Sequence, residues 1–284
     1  MIGDDGPAQD DGLVTPEVGA WTEEKHRTVL LYSTLFSSGM KKKWSSRIYV
    51  ELYAGAGLGR VKGTSKLITG SPLLALQVAD PFDKYVFCEE VPENLKALEI
   101  RAKRIAPNAD ITYVLGSCND QIRHILEAIP RGSRENKTLS LCFADPFDIS
   151  LEFETIRLLA SSRFVDFLVL LALGMDASRN YENYIKGGSD KVDKFLGSST
   201  WRQRWAKAQW DAVRFTRFLA DEFTGSMAAL GYIPPPHYTM KEVKLPEKNV
   251  PLYKLALFSR QERAYKYWDQ VLKYGTEQTQ FEGW

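Results

Sequence analysis

Apolar residues recur along this chain in two rhythms. Short, nearly continuous apolar runs end at polar or glycine-bearing turns, and between them apolar residues return every three or four positions. The first rhythm predicts buried strands and the second predicts amphipathic helices. Strands are expected in the run from Ile48 that ends at Glu51, and over Lys84–Glu89, Asp110–Leu115, Leu139–Ala144 and Asp166–Ala172. Helices are expected over Trp21–Leu35, with Thr22 as N-cap and Glu24 in the first turn, and over Leu73–Val78, with Ser71 as cap and Pro72 at the first helical position. Further helices are expected over Pro92–Ile105 and Asp120–Ile129. Arg60 to Thr69 reads only as a polar stretch. Strands alternating with helical patterns predict βαβ units, and hence an α/β fold with a parallel sheet.

The rhythm breaks over residues 174–236, a helical stretch rich in Trp and Arg that includes Trp201-Arg202-Gln203-Arg204-Trp205 and ends at Pro234-Pro235-Pro236. It reads as an insertion or cap on the sheet. Two more strand-like runs follow, Tyr238–Leu245 and Leu252–Ser259, joined through Pro246 to Pro251 and able to close the sheet as an antiparallel pair. A last helix is expected from Gln261 to Tyr274. Residues 21–274 therefore form one domain that contains the insertion. Residues 1–20 are acidic, carry no Lys or Arg and have little apolar content, which predicts a disordered tail. Residues 275–284 form a C-terminal tail.

Candidate chemistry falls at the carboxyl ends of successive strands, the edge where open parallel sheets bind ligands. The first strand ends in Glu51-Leu52-Tyr53-Ala54-Gly55-Ala56-Gly57, where glycines let the backbone come close to a ligand. The second ends in Glu89, whose carboxylate can accept both hydroxyls of a ribose; Glu90 competes for that role. The third is followed by Gly116-Ser117-Cys118-Asn119, a polar turn that suits an adenine edge and equally suits a plain helix cap. The fourth is followed by Asp145-Pro146-Phe147, where a carboxylate can accept from a planar amine while a ring stacks on a base; a surface Asp-Pro turn has the same letters.

Taken in order, these elements resemble the class I S-adenosylmethionine-dependent methyltransferases. The resemblance implies a Rossmann-like, seven-stranded, mostly parallel sheet with a reversed last strand. It implies S-adenosylmethionine as cofactor, with Glu51, Tyr53, Ala54, Gly55 and Gly57 at its methionine end, Glu89 or Glu90 at the ribose and Ser117, Cys118 and Asn119 at the adenine. Asp145 and Phe147 stand at the methyl-transfer edge. A narrower set of residues resembles the three-Cys-motif partner (TcmP) family: Trp21 and Lys25, Tyr53 to Gly57, Gly70-Ser71-Pro72-Leu73, Phe87-x-Glu89, Gly116-x-Cys118-Asn119, Asp145-Pro146-Phe147 and Leu252 to Ser259. That resemblance implies a radical-S-adenosylmethionine-like, three-Cys-motif protein as partner, and it leaves open a non-catalytic scaffold. Two departures bear on amino methylation: Ser117 stands where Asp often follows the glycine, and Asp148 follows Phe147 with no second proline before the aromatic.

Charge and composition narrow the partners. The net charge is +1, and setting aside Asp4, Asp5, Asp10, Asp11 and Glu17 leaves +6 for the remainder. Lys41, Lys42, Lys43, Arg60, Lys62 and Lys66 are expected near the pocket. Residues 179–217 hold nine Lys or Arg against four acids, so a nucleic-acid partner is compatible with the chain. The longest apolar run, near Phe167 to Met175, is too short for a membrane span. His26, His124 and His237 lie far apart without metal-ligand spacing, and Cys88, Cys118 and Cys142 form no CxxC, so no metal is expected and a cytoplasmic setting is. His26 reads as a surface or boundary residue of the first helix. Cys118 is not read as a nucleophile, because it stands where the adenine would bind.

Overall fold

A computed structural model of the chain describes residues 9–211, 214–245 and 250–277. Its strands, in chain order, are β1 (Glu17–Val18), β2 (Ser46–Glu51), β3 (Leu58–Val61), β4 (Leu67–Thr69), β5 (Lys84–Glu89), β6 (Ile111–Leu115), β7 (Thr138–Ala144), β8 (Val165–Leu171), β9 (Lys241–Leu245) and β10 (Val250–Phe258). Seven of them form one sheet in the order β6-β5-β2-β7-β8-β10-β9. Neighbours are parallel from β6 to β8, and β10 runs antiparallel to both β8 and β9. This is the Rossmann-like order expected from the sequence, with the last strand in the chain reversed. The link through Pro246, the first eight residues and the end of the C-terminal tail lie outside the described residues.

The strands read as apolar runs because helices cover both faces. On one face, Tyr49 of β2 and Leu139, Leu141 and Phe143 of β7 pack with α1 (Thr22–Met40), α2 (Ser71–Leu76), α3 (Pro92–Ile105) and α10 (Glu262–Glu277). On the other, Ile48, Val50 and Cys142 pack with α4 (Ile122–Ala128) and α5 (Phe153–Ser162), and beyond them with the insertion. Alternate side chains of one strand thus enter opposite cores, as the pleat requires.

The insertion is a helical cap, as expected. A π-turn over Leu173–Ala177 leads into α6 (Tyr181–Ile185), α7 (Lys191–Leu196), α8 (Trp201–Ala208) and α9 (Phe215–Ala229). Its tryptophans divide: Trp201 and Trp205 are buried in the core, whereas Trp210 is 87% exposed. Its cations are mostly matched by acids, since Lys186, Lys191, Lys194, Arg202, Arg204 and Arg217 each meet a carboxylate. Asp176 ties the cap to the loop after β7. It accepts the Ile149 amide at 3.2 Å and the Tyr184 hydroxyl at 2.7 Å, and pairs with Lys191 at 2.9 Å. Burial pushes its carboxyl up, yet the bonds from Lys191, Tyr184, Asn180 and Ile149 outweigh that and hold it below its usual range.

Two expectations are corrected. The polar stretch after the glycine loop is a hairpin, β3 against β4, with β1 added in parallel as a third strand. Within the segment expected to be disordered, residues 9–20 have a defined structure, in which Asp11 compensates a buried cation. Arg101 of α3, 3% exposed, donates to both Asp11 carboxylate oxygens at 3.0 and 2.6 Å, to Val14 O at 2.9 Å and to Ala56 O at 2.6 Å. Composition counts Asp11 as a solvated charge; the fold uses it to strap residues 11–18 across the glycine loop. The strap is therefore expected to depend on Arg101. Arg101→Met should destabilise the protein by about 2 kcal/mol, less than a fully buried pair because Asp11 keeps some solvent. Hydrogen exchange should rise across residues 13–18 while β2 and β7 stay protected.

Candidate functional site

Sheet order reverses at β2: β5 lies on one side of it, and β7, reached later in the chain, lies on the other. Ligands of open α/β sheets bind outside the carboxyl ends of the strands at such a point. A cavity of about 310 Å³ lies there. Its floor is the turn after β2, with Tyr53, Ala54, Gly55 and Gly57, and Asp145, Pro146 and Phe147 stand on the β7 side. Lys25 and His26 of α1, Tyr253 of β10 and the strap residues Pro16 to Gly19 complete the wall.

Two glycines make the floor possible. Gly55 and Gly57 have φ of 64° and 82°, the left-handed region that side chains disfavour. A Cβ on Gly57 would meet Leu73 and Leu98 at 3.0–3.1 Å, whereas a Cβ on Gly55 would meet nothing within 4 Å. Gly57 is thus required for packing under the loop, and Gly55 borders open space.

The predicted residues take different positions. Glu51 lies beneath the cavity rather than in its wall. It is fully buried and accepts from the Ser71 hydroxyl at 2.5 Å and the Tyr49 hydroxyl at 3.0 Å. Burial pushes its carboxyl up to about 8, with the two hydroxyls offsetting part of the rise. Ser71, expected as the cap of α2, instead serves Glu51, and Gly70 takes the capping position. Glu89 accepts the Gly55 amide at 2.8 Å, the Val91 amide at 3.0 Å and the Asn94 side chain at 3.3 Å. It is half-buried beside the glycine turn, outside the cavity wall, and Glu90 next to it is exposed.

The turn after β6 is also outside that wall. Ser117 is half-buried, and Cys118 is buried, with desolvation pushing its thiol up to about 11. Burial likewise pushes the Tyr53 phenol up, and that hydroxyl bonds Cys118 and Ser150. Asn119 is committed to the loop after β7: it donates to Ser150 O at 2.9 Å and accepts the Glu152 amide at 3.1 Å and the Thr155 hydroxyl at 2.8 Å. Of the predicted set, the structure brings together Tyr53, Ala54, Gly55, Gly57, Asp145 and Phe147, with Glu89 one hydrogen bond away.

Asp145 is oriented by an ion pair with Lys25, both side chains largely buried, and the Lys25 ammonium lies 5.8 Å from the centre of the Tyr253 ring. Phe147, by contrast, is 83% exposed at the mouth. His26, expected at the surface, is buried in the wall. Its Nδ1 lies 3.0 Å from Thr69 O, which can only accept, so Nδ1 carries the proton and Nε2 is left with a lone pair. Desolvation first and the Lys25 charge second push this imidazole down to about 4, so the ring is neutral near pH 7. Helical spacing placed His26 on α1, but only the packing of α1 against β4 shows which face meets the cavity.

Among the described residues no cluster of three His, Cys, Asp or Glu is placed to hold a metal ion, and no helix is long and apolar enough to cross a membrane. The three cysteines are free thiols. Lys41, Lys42 and Lys43 precede β2 and so lie at the sheet edge opposite the cavity. Arg60 and Lys66 are near the cavity side but pair with Asp10 and Glu23.

No protein-family model matches the chain. No curated protein is significantly similar to it in sequence. Similar solved structures include the O-methyltransferase from Bacillus cereus in complex with SAH, at 9% identity, covering 87% of this chain and 84% of that one with a TM-score of 0.47. The cofactor-bound protein Rv0187 from MTB is similar at 12% identity, over 86% of this chain and 82% of that one, with a TM-score of 0.44. M. jannaschii TYW2 in complex with AdoMet is similar at 10% identity, over 86% and 78%, with a TM-score of 0.39. The functional reading rests on this chain's own strand order and side chains.

The buried carboxyl sets a pH dependence of stability. In the folded chain Glu51 holds its proton up to about pH 8, whereas an unfolded Glu releases it near the ordinary 4.5. Between those values the folded state binds more protons, so this contribution is full below 4.5, falls as pH rises and is lost above 8. Glu51→Gln should remove it. The difference in unfolding free energy between Glu51→Gln and wild type should grow in favour of the variant by roughly 1 kcal/mol per pH unit from pH 5 to 8. Denaturant titrations across that range measure it, and parallel curves would contradict an uncharged Glu51.

Proposed function

We propose that the chain is an S-adenosylmethionine-dependent methyltransferase whose acceptor is a polar N–H or O–H group presented to Asp145. The observation that carries this reading is the cavity at the β2/β7 reversal, with a left-handed glycine turn on one side and the Lys25-oriented Asp145-Pro146-Phe147 on the other. The residues fit the cofactor at two points. The open space over Gly55 is a cradle that a side chain would fill. Glu89, anchored by the Gly55 and Val91 amides, keeps lone pairs for a ribose diol. When bound, S-adenosylmethionine supplies an electrophilic methyl group on a sulfonium.

The chain's own contribution is orientation and exclusion of water. Tyr53, Ala54, Gly55 and Gly57 hold the methionine end, and Glu51 supports that turn from below through Ser71. Ser117 borders the adenine side, where Cys118 and Asn119 shape the turn from within. Asp145 accepts a hydrogen from the acceptor while Lys25 fixes its carboxylate, and Phe147 offers a ring at the mouth for a planar acceptor to stack on. His26 Nε2 adds a neutral hydrogen-bond acceptor within the wall. Nucleic acid is one acceptor class compatible with this arrangement, and a partner-delivered substrate is another.

A second reading, a scaffold that keeps the fold for binding, is favoured by one observation: two residues of the cofactor and transfer edges serve internal contacts instead. Asn119 holds the loop at 150–155, and Asp148 pairs with Lys191 of the cap at 2.6 Å. A three-Cys-motif protein is the partner this reading takes from the sequence resemblance.

Titration calorimetry with S-adenosylmethionine tests the first reading. Micromolar binding is expected, and Glu89→Ala should weaken it by about 10- to 100-fold, the cost of two lost hydrogen bonds to a carboxylate. Asp145→Ala should keep cofactor affinity within about threefold and abolish methyl transfer. No binding by folded wild-type protein would overturn the enzyme and leave the scaffold.

A further inference from the structure

The sheet edge opposite the cavity carries its own recess. Two cavities of about 520 and 560 Å³ adjoin there and share Gly132, Thr138 and Phe164. Their walls hold Arg131, Arg163 and Arg260 on one side and Lys43, Arg134 and Lys137 on the other, with no Asp or Glu in either wall. Arg163 and Arg260 are rigid. Arg163 donates to the carbonyls of Leu126, Ile129 and Ser162, and Arg260 to those of Ala160 and Leu230. Among the described residues neither forms an ion pair, though Arg260 lies close enough to offset part of the rise that burial gives the Asp166 carboxyl. Lys43, Arg131, Arg134 and Lys137 are exposed and have no ion-pair partner among the described residues.

Two further observations point to a ligand rather than a merely solvated basic face. Ser140, a buried residue of the first cavity's wall, has a hydroxyl with no hydrogen-bond partner among the described residues, which is uncommon in folded proteins. Phe164, which belongs to both cavities, is 62% exposed and packs on Trp44 with ring centroids 5.8 Å apart. A concave cationic track with an accessible ring in its floor is how proteins hold single strands: phosphates meet the cations, and a base stacks on the aromatic.

We propose that this groove binds single-stranded nucleic acid, with phosphates on Lys43, Arg131, Arg134 and Lys137 and a base stacked on Phe164 against Trp44. The site does not depend on the methyltransferase reading. β7 runs from Thr138 in the groove to Ala144 beside Asp145, seven residues, or roughly 20 Å of strand. The groove therefore anchors a strand at a distance from the cavity instead of presenting it for reaction.

Fluorescence anisotropy of the full chain with end-labelled oligo-dT and oligo-U of about 12 nucleotides tests the proposal. Saturable binding is expected at low salt. The slope of log affinity against log salt should be near −3, from about 0.7 per phosphate for four contacts. The triple variant Arg131→Gln, Arg134→Gln, Lys137→Gln should lose at least about tenfold in affinity and flatten the slope to about −1. Phe164→Ala should weaken single strands by about fivefold or more and change duplex binding little. All four positions are exposed, so melting temperatures should stay near wild type. Photocrosslinking of a 4-thiouridine oligonucleotide to the peptides carrying Trp44 and Phe164 gives a readout on the unmutated chain. Duplex binding as tight as single-strand binding, unchanged affinity in Phe164→Ala, or capture by phosphatidylserine vesicles without oligonucleotide binding would overturn it. Cofactor titration of the same protein is read separately, so failure of the groove and failure of the cavity are distinguishable.

Discussion

A buried carboxyl without its charge holds the candidate site together. Glu51 ends β2, where solvent cannot reach it, and an ionised carboxylate there would bear a large desolvation cost. With its pKa pushed up to about 8 the carboxyl stays protonated near neutral pH and avoids that cost, and the Ser71 and Tyr49 hydroxyls complete its hydrogen bonding. The contact joins β2 to the first turn of α2. It brings the turn at Gly70 within 2.7 Å of Gly57 O, a backbone approach that leaves no room for a side chain on Gly70. The geometry of the glycine floor follows from this pair of contacts.

The same logic of burial and compensation recurs around the cavity. Lys25 and Asp145 meet in a largely desolvated wall, where each would be costly alone, so their pairing fixes where the carboxylate stands. His26 solves the problem differently, by remaining neutral and giving its one proton to Thr69 O. Arg101 recruits Asp11 and carbonyls from the strap and from Ala56, and so lays residues 11–18 over the loop they help enclose. Asp145, His26 and Arg101 thus each meet a partner from a distant part of the chain.

The two edges of the sheet differ in how charge is handled. At the carboxyl edge, cations are matched: Lys25 by Asp145, Lys66 by Glu23, Arg60 by Asp10, and the cap's Lys191 by Asp148 and Asp176. At the opposite edge, Lys43, Arg131, Arg134 and Lys137 have no ion-pair partner among the described residues and stand around an exposed aromatic. Part of the +6 carried by the chain beyond residue 20 is therefore gathered away from the cavity. The Trp/Arg-rich insertion, which composition marks as a nucleic-acid surface, is largely a packed cap with internal ion pairs.

Much of the architecture was legible in the letters. Lys84–Glu89 and Pro92–Ile105 were bounded correctly, because strand and helix periodicities are local and buried parallel strands leave continuous apolar runs, whereas the reversed final strand was anticipated from the family resemblance. The glycine turn and Asp145-Pro146-Phe147 were readable as neighbours because the fold class sets which strand ends adjoin. What the letters could not carry depends on partners far away in sequence. The hairpin at 58–69 pairs with β1 from the N-terminal segment, and the strap is held by Arg101, buried beneath it. The protonated state of Glu51 and the neutral state of His26 both follow first from burial, which packing from distant parts of the chain imposes. A sequence by itself determines where the chain turns and which faces are apolar. Tertiary structure alone decides which charges are desolvated and by what they are met, because the energy of a charge is set by its surroundings and not by its neighbours along the chain.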